Sequence, residues 1–129
     1  MTSSTTETAN SSASVYRKLT EGLEMRLLRG DGAGGSTFFI RMKKGARAPR
    51  HGHPGGEETC VLEGTLRIEG RIDAAGVPQP DLVVAAGEYA FAPAGETHEG
   101  VAIEDTVFFV VAAGGVVAAP HGARAVAIP

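Results

Sequence analysis

Residues 45–64 read GARAPRHGHPGGEETCVLEG, and this stretch places three metal-binding side chains within seven residues. His51 and His53 lie two residues apart, so on an extended strand both side chains project from the same face. Two neutral imidazoles in that arrangement can bind one divalent metal ion. The Pro-Gly-Gly at residues 54–56 predicts a turn, because proline fixes φ and glycine permits a positive φ. Glu57 can then return to the same point as an anionic oxygen ligand.

A third imidazole is available at His98, in a second segment with its own turn signal. Gly87 opens this segment, residues 89–92 favour a strand, and the Pro-Ala-Gly at residues 93–95 predicts a turn just before His98. A β-barrel can bring ligands from adjacent strands to one point. The predicted metal ligands are His51, His53, Glu57 and His98.

Two neighbours of Glu57 are alternative ligands. Glu58 follows directly, so by strand alternation it should face the opposite way, and we expect a solvated or supporting carboxylate there. Cys60 shares the face of Glu58. A buried, unreactive thiol is the preferred interpretation, over a reactive thiol or an extra ligand.

Composition bounds the class of protein. The chain has 129 residues, 43% of them hydrophobic, which is enough for one domain with a real core. A formal net charge of −3 argues against a general nucleic-acid-binding protein. One cysteine fits a reducing compartment, and no apolar stretch approaches the ~20 residues of a membrane span. We therefore expect a soluble, cytoplasmic protein that binds neither nucleic acid nor membrane.

The amino-acid composition of the chain changes at residue 15. Residues 1–14 are rich in serine and threonine and predict a disordered tail, whereas residues 15–129 predict one folded domain. That domain contains short apolar runs separated by glycine and proline, with no sustained helical periodicity. The predicted strands are 23–28, 37–42, 59–62, 66–68, 82–84, 89–92 and 107–112. Many short strands with Gly/Pro turns indicate an all-β sandwich or barrel.

Several polar and aromatic residues near the motifs could support the site. Tyr89 and Phe91 share a strand face and could line a pocket, although core packing would explain Phe91 equally well. Glu96 and Glu99 flank His98 and could orient it. A basic run could steer an anionic substrate, but a solvated charged face is the preferred interpretation. This run consists of Arg41, Lys43, Lys44, Arg47 and Arg50.

Three further segments carry weaker signals. The glycine-rich residues 30–35 lack the lysine of a phosphate-binding loop, so we expect a turn. His121 lies in a Pro-His-Gly turn and is expected at the surface. Residues 116–129 could form a last edge strand, a lid, or an arm on a partner subunit.

The two motifs together resemble those of the cupins. Their first motif runs Gly, five residues, His-x-His, three or four residues, Glu, six residues, Gly, and it matches at Gly45, His51, His53, Glu57 and Gly64. The second runs Gly, five residues, Pro-x-Gly, two residues, His, three residues, Asn, and it matches at Gly87, Pro93, Gly95 and His98. Ala102 stands at the final Asn position, which leaves the four ligands untouched.

The resemblance implies a small double-stranded β-helix, or jelly-roll, cupin barrel. The four ligands would hold one divalent transition metal in its mouth, either iron, zinc, manganese or nickel. The HPGGEE sequence of residues 53–58 looks especially like the cupin domain of ChrR-type anti-sigma factors. The helical zinc-binding module of those proteins has no counterpart in the Ser/Thr-rich residues 1–14, so sigma-factor binding is not carried over.

Two kinds of function follow from the resemblance. The first is a metal-dependent, dioxygenase-like enzyme that acts on a small organic molecule, with isomerase or hydrolase chemistry if the metal is zinc. The alternative is a non-catalytic sensor of a metal or a small molecule, as in the ChrR-like cupins. A sugar-phosphate isomerase ranks below both, because nothing places the basic run inside the pocket. The resemblance also implies a homodimer.

Overall fold

The computed structural model describes residues 15–118 and 126–127, and within them it contains twelve β-strands and no helix. Accordingly, no described segment forms a helix long and apolar enough to cross a membrane. The predicted tail at residues 1–14 and His121 lie outside the described residues. The strands are β1 (Arg17–Thr20), β2 (Leu23–Gly30), β3 (Ser36–Met42), β4 (Arg47–Gly52), β5 (Glu57–Glu63), β6 (Thr65–Ile72), β7 (Leu82–Ala85), β8 (Tyr89–Ala92), β9 (Thr97–Ala102), β10 (Thr106–Ala112), β11 (Val117–Ala118) and β12 (Val126–Ala127).

The strands form two antiparallel sheets of six. The first sheet has the order β12-β11-β4-β9-β6-β7, and the second has the order β1-β2-β3-β10-β5-β8. From β3 to β6 the chain alternates between the two sheets, so neighbouring elements in sequence lie on opposite walls of the barrel. This confirms the all-β fold predicted from the strand pattern and the jelly-roll barrel implied by the resemblance to cupins.

Side-chain alternation builds the core between the sheets. In β10 the residues Thr106, Phe108, Val110 and Ala112 are buried, and those between them are partly exposed. The pattern follows from the two-residue period of a strand with one face on the core. The core cluster includes Leu23, Phe38, Ile40, Met42, Val61, Leu66, Ile68 and Val84 as well.

All seven predicted strands are present, and six of them are longer than predicted. Of the five remaining strands, β1 was not predicted. Strands β4 and β9 were expected only as the extended segments that carry His51 and His98, without predicted bounds, and β11 and β12 fall within residues 116–129, where an edge strand was one of three expectations. Strand β4 reads RAPRHG and contains charges, a proline and a glycine, so no alternating apolar signal reveals it. It is paired because β9 and β11 supply its neighbours.

The segment after β10 extends the first sheet. Val117 pairs with Gly52 and Ala118 pairs with His51, and β12 then pairs with β11. Of the three expectations for residues 116–129, the described part therefore corresponds to edge strands.

Candidate metal centre

Two of the predicted ligands lie side by side in the first sheet. His98 of β9 is directly opposite His51 of β4, so both imidazoles face the barrel interior. The pairing register of β9 with β4 shifts between His98 and Gly100. An irregularity of this kind redirects the side chains beside it, and such irregularities are common next to functional sites.

The other two ligands come from the connection between the sheets. His53 follows β4 directly, and Gly56 donates a hydrogen bond to the His53 carbonyl at 3.0 Å, which closes the predicted turn. Gly95 donates to the same carbonyl at 3.2 Å. The loop that carries His53 is therefore joined to the loop that precedes His98. Glu57 begins β5 in the second sheet.

The four side chains converge on one point. Their potential ligand atoms all lie within 4.8 Å of one another. The ring of His51 is 4.8 Å from that of His53 and 4.7 Å from that of His98, between centroids. The Glu57 carboxylate lies 3.2 Å from His53 Nε2 and 3.4 Å from His98 Nε2. Three imidazoles and a carboxylate so placed are a ligand set for a divalent transition metal.

The hydrogen bonds around the rings fit a bound ion. A carbonyl or a carboxylate can only accept, so His51 Nδ1 donates to the Pro49 carbonyl at 2.7 Å and His98 Nδ1 donates to Glu96 at 2.9 Å. In the neutral form of each ring, the Nε2 lone pair is then available to a metal ion. His53 is 1% exposed, and neither of its nitrogens forms a hydrogen bond with the described residues. Buried polar atoms normally have a partner, and a metal ion would supply one.

The charge states of the site follow from burial and proximity. Burial lowers the pKa of His53 to about 4, and burial together with the neighbouring His98 lowers the pKa of His51. Burial also opposes ionisation of Glu57, but the neighbouring imidazoles outweigh it and hold its pKa below the ordinary value. Burial opposes protonation of His98, yet the Glu57 and Glu96 carboxylates raise its pKa to about 9. Without metal, a neutral solution leaves His51 and His53 neutral and His98 protonated.

Comparison with known proteins identifies the family. The sequence profile of the ChrR cupin-like domain matches residues 4–117. The chain belongs to the ChrR cupin-like domain family. No curated protein sequence matches this cupin.

Solved structures share its fold. An acetylacetone dioxygenase from Acinetobacter johnsonii superposes with a TM-score of 0.71 at 17% identity, covering 95% of this cupin and 81% of that chain. An RmlC-like cupin from Ralstonia eutropha superposes with a TM-score of 0.70 at 18% sequence identity. The match covers 86% of this cupin and 68% of that chain. A chain from the complex of Rhodobacter sphaeroides SigE with the anti-sigma factor ChrR superposes with a TM-score of 0.61 at 25% sequence identity. That match covers 76% of this cupin and 49% of the other chain.

The alternative ligands near Glu57 face away from the centre. Glu57 is buried and Glu58 is exposed, as strand alternation predicts. The Glu58 carboxylate accepts a hydrogen bond from the Tyr89 hydroxyl at 2.9 Å on the outer face. Cys60 is half-buried on the same face, so the prediction of a buried thiol was wrong in its burial, and the thiol lies away from the ligands. The outer face of β5 has no second layer of described structure to bury it.

The prediction that Tyr89 and Phe91 line the pocket or the core was also wrong. They are 58% and 54% exposed, because they pair with Cys60 and Glu58 on the outer face. The alternate residues, Ala90 and Ala92, are the ones that point inward. The small side chain of Ala92 therefore lies beside Glu57.

Most of the basic run lies on exposed surface away from the centre. Arg41 pairs with Glu24 at 2.7 Å, and Arg47 pairs with Glu69 at 2.8 Å. Arg50 differs, because its side chain is largely buried and donates to Thr97 at 3.0 Å and to the Gly70 carbonyl at 2.7 Å. These contacts favour the interpretation of the basic run as a solvated, ion-paired face over its interpretation as a surface that steers an anionic substrate.

Of the two carboxylates that flank His98, only Glu96 contacts it. Glu99 lies near Arg47 and Arg50 on the outer face of the sheet. Arg71, whose guanidinium pairs with Glu96 at 3.0 Å, was not among the predicted site residues. No local pattern could have revealed that pair, since 25 residues separate its members.

The one departure from the cupin motifs is accommodated by the backbone. Ala102, at the Asn position of the second motif, is 1% exposed. Its carbonyl accepts from Gly45 at 2.8 Å and its N–H donates to the Ala46 carbonyl at 3.1 Å. The end of the second motif is thus tied to the start of the first without a side-chain hydrogen bond.

Proposed function

We propose that this cupin is a metal-dependent, dioxygenase-like enzyme that acts on a small organic molecule. The observation that carries the proposal is the convergence of three imidazoles and one carboxylate within 4.8 Å, inside a fold also used by an acetylacetone dioxygenase. In the proposed enzyme, His51, His53, Glu57 and His98 hold one divalent transition metal. With four protein ligands, an octahedral ion keeps about two positions for a substrate.

The surroundings of the four residues support chemistry on a small molecule. His53, Glu57 and His98 are buried, and His51 is half-buried. Ala92 lies beside Glu57, and Ala118 lies beside His51. In the proposed enzyme, these small neighbouring side chains would leave room for a compact substrate beside the largely buried ligands.

Metal identity sets the chemistry in this proposal. Iron, manganese or nickel would provide a Lewis acid or a redox centre, whereas zinc would limit the reaction to Lewis-acid chemistry such as hydrolysis or isomerisation. A substrate with two oxygen donors, such as a β-diketone, matches two free coordination positions. The protein side chains would orient it.

Two measurements test the proposal in sequence. The first is elemental analysis of the purified protein beside a His51→Ala/His53→Ala variant, with near-stoichiometric Fe, Mn or Ni expected in the parent and none in the variant. The second is oxygen consumption by the protein loaded anaerobically with Fe(II), against β-diketones, thiols and catechols. Absence of oxygen uptake with every substrate would overturn the dioxygenase-like assignment.

A sensor is the second candidate, and family membership favours it. The matching profile is that of a ChrR cupin-like domain, and a chain from the SigE–ChrR complex shares the fold. In a sensor, ligand binding at the same centre would change a surface that contacts a partner protein. Affinity capture with metal-loaded and metal-free protein separates the two candidates. A regulator retained by only one form would support the sensor, and none in either form would remove its support.

The proposed assembly is a cytoplasmic homodimer. Exposed strand edges need covering, and the first sheet ends in the short strands β11 and β12. Light scattering of the full chain and of a variant ending at Gly115 tests this arrangement. An unchanged dimer in the shortened chain would show that these strands do not contribute to it.

A further inference from the structure

The three histidines of the centre differ in what holds the nitrogen that faces away from it. His51 donates to a backbone carbonyl, that of Pro49, and His53 has no side-chain hydrogen-bond partner among the described residues. His98 alone among them donates to a carboxylate, that of Glu96, at 2.9 Å. An anionic partner fixes the tautomer of an imidazole and makes its other nitrogen a stronger metal ligand.

Glu96 is itself held in place by Arg71. The guanidinium approaches both carboxylate oxygens, with Arg71 Nη2 3.0 Å from Oε1 and Nε 3.2 Å from Oε2. Both side chains are largely buried, with exposures of 12% for Arg71 and 3% for Glu96. A two-point contact of this kind fixes orientation as well as distance. Glu96 therefore presents one oxygen to His98 with little freedom to rotate.

Arg71 is in turn anchored to the hairpin loop between β6 and β7. Its Nη1 donates to the Pro80 carbonyl at 2.7 Å. Within that loop, Asp73 accepts hydrogen bonds from the backbone of Ala75 and Val77 and from the Gln79 side chain. The chain of contacts runs from an ordered loop through Arg71 and Glu96 to one ring of the metal centre.

We infer that Arg71 and Glu96 are positioning residues that set the metal affinity of the centre through His98. The inference rests on the proposed metal site and extends it to two residues outside the ligand set. The charges support it, because Arg71 neutralises Glu96 and makes burial of the carboxylate tolerable. Neither residue touches the point at which the four ligands converge, so each acts only through His98.

Glu99 provides a matched control. It lies one residue after His98, on the same strand as His98, but it is near Arg47 and Arg50 on the outer face. Removing its charge changes the net charge of the protein by the same amount as removing that of Glu96. Only the Glu96 change alters the hydrogen bond to the ring.

The experiment is a titration of metal-free wild type, Glu96→Gln and Glu99→Gln with Co²⁺, followed by visible absorption. We expect Glu96→Gln to bind Co²⁺ about 10–100-fold more weakly than wild type, with a shifted spectrum. Glu99→Gln should bind with the affinity and the spectrum of wild type. Equal affinities and spectra for the two variants would overturn the inference. No binding of Co²⁺ by wild type would instead overturn the metal site on which it rests.

Arg71 variants separate positioning from a general loss of stability. Arg71→Met should weaken Co²⁺ binding and shift the spectrum, because the Glu96 carboxylate is then free to rotate. Arg71→Lys should restore part of the affinity, since an ammonium replaces the charge without the two-point geometry. Circular dichroism of each metal-free variant reports folding. If Arg71→Met is folded and binds Co²⁺ more weakly, but the visible absorption spectrum of the bound Co²⁺ is unchanged, a positioning role is contradicted.

Discussion

At the scale of single residues, the direction of a side chain decides its role in this protein. Glu57 and Glu58 are adjacent and chemically identical, yet one enters a buried cluster of imidazoles and the other accepts a hydrogen bond from Tyr89 at the surface. The difference comes from the alternation of β5 alone. The candidate metal centre therefore depends on strand register as much as on residue type.

Substituting each carboxylate in turn tests this dependence. Glu57→Gln replaces an anionic ligand by a neutral amide, and we expect metal affinity to fall by at least about 100-fold, since losing even an outer partner costs about 10–100-fold. Glu58→Gln should leave the affinity unchanged. Metal content after dialysis, measured by elemental analysis, gives the result. Equal metal loss in the two variants would show that the assignment of Glu57, and not Glu58, as the metal ligand is wrong.

Metal binding should release one proton at neutral pH. The Glu57 and Glu96 carboxylates raise the pKa of His98 to about 9, so its ring is protonated in the metal-free protein below that pH. An imidazole must lose its second proton before it can bind a metal. His98 therefore has to release a proton, whereas His53, with a pKa of about 4, is already neutral. Affinity should therefore rise about tenfold per pH unit between pH 7 and 9 and level off above it.

Calorimetry in two buffers of different ionisation enthalpy measures the proton directly. The difference in apparent binding enthalpy at pH 7.5 should correspond to about one proton released per ion bound. The same enthalpy in both buffers, together with a pH-independent affinity, would mean that His98 is neutral before the metal arrives.

At the scale of the elements, backbone geometry as well as metal ligation accounts for the glycines in the two motifs. Gly64, the last position of the first motif, has φ +80°, and a Cβ atom there would overlap the Asp105 carbonyl oxygen. Gly87, the first position of the second motif, has φ +85° with open space around it. Gly64 is therefore needed both for its left-handed conformation and because a side chain would collide with the backbone, whereas Gly87 is needed for its conformation alone.

Alanine substitutions distinguish these two requirements. Gly87→Ala should destabilise the fold by about 1–2 kcal/mol, which is the strain of a left-handed residue with a side chain. Gly64→Ala adds a collision with fixed backbone, so we expect a larger loss of unfolding free energy. Urea denaturation monitored by circular dichroism gives both values. Similar losses for the two variants would indicate that the backbone near Asp105 yields readily.

Local spacing made much of this fold and site predictable. The two histidines, the turn after them and the return of Glu57 follow from strand and turn geometry within seven residues. Arg71 was not predictable, because only the pairing of β6 with β9 brings it to Glu96. Tyr89 and Phe91 were misjudged because aromatic residues usually pack inward, whereas β8 turns its alanines to the interior.

At the scale of the whole molecule, the centre connects the two sheets. His51 and His98 belong to the first sheet, Glu57 belongs to the second, and His53 lies on the connection between them. An ion that binds all four residues would hold the two walls together at one end of the barrel. The folded state would then be stabilised by binding, because the unfolded chain does not hold the four ligands in place.

Thermal unfolding measures this stabilisation. At a free metal concentration of about 100 times Kd, binding adds about 2.7 kcal/mol to the stability, which corresponds to a rise in Tm of roughly 10 °C for a domain of this size. EDTA should reverse the rise, and the His51→Ala/His53→Ala variant should show none. An increase of the same size in that variant would point to metal binding elsewhere on the protein.

The hydrogen bond that joins the loop carrying His53 to the loop preceding His98 has a kinetic consequence. The His53 carbonyl accepts hydrogen bonds from both Gly56 and Gly95, so neither loop can swing away without disturbing the other. A bound ion could then leave only when that end of the barrel opens as a unit, and the opening step would set the rate of release. Transfer of the ion to a competing chelator would proceed at a rate that no longer increases once the chelator is abundant.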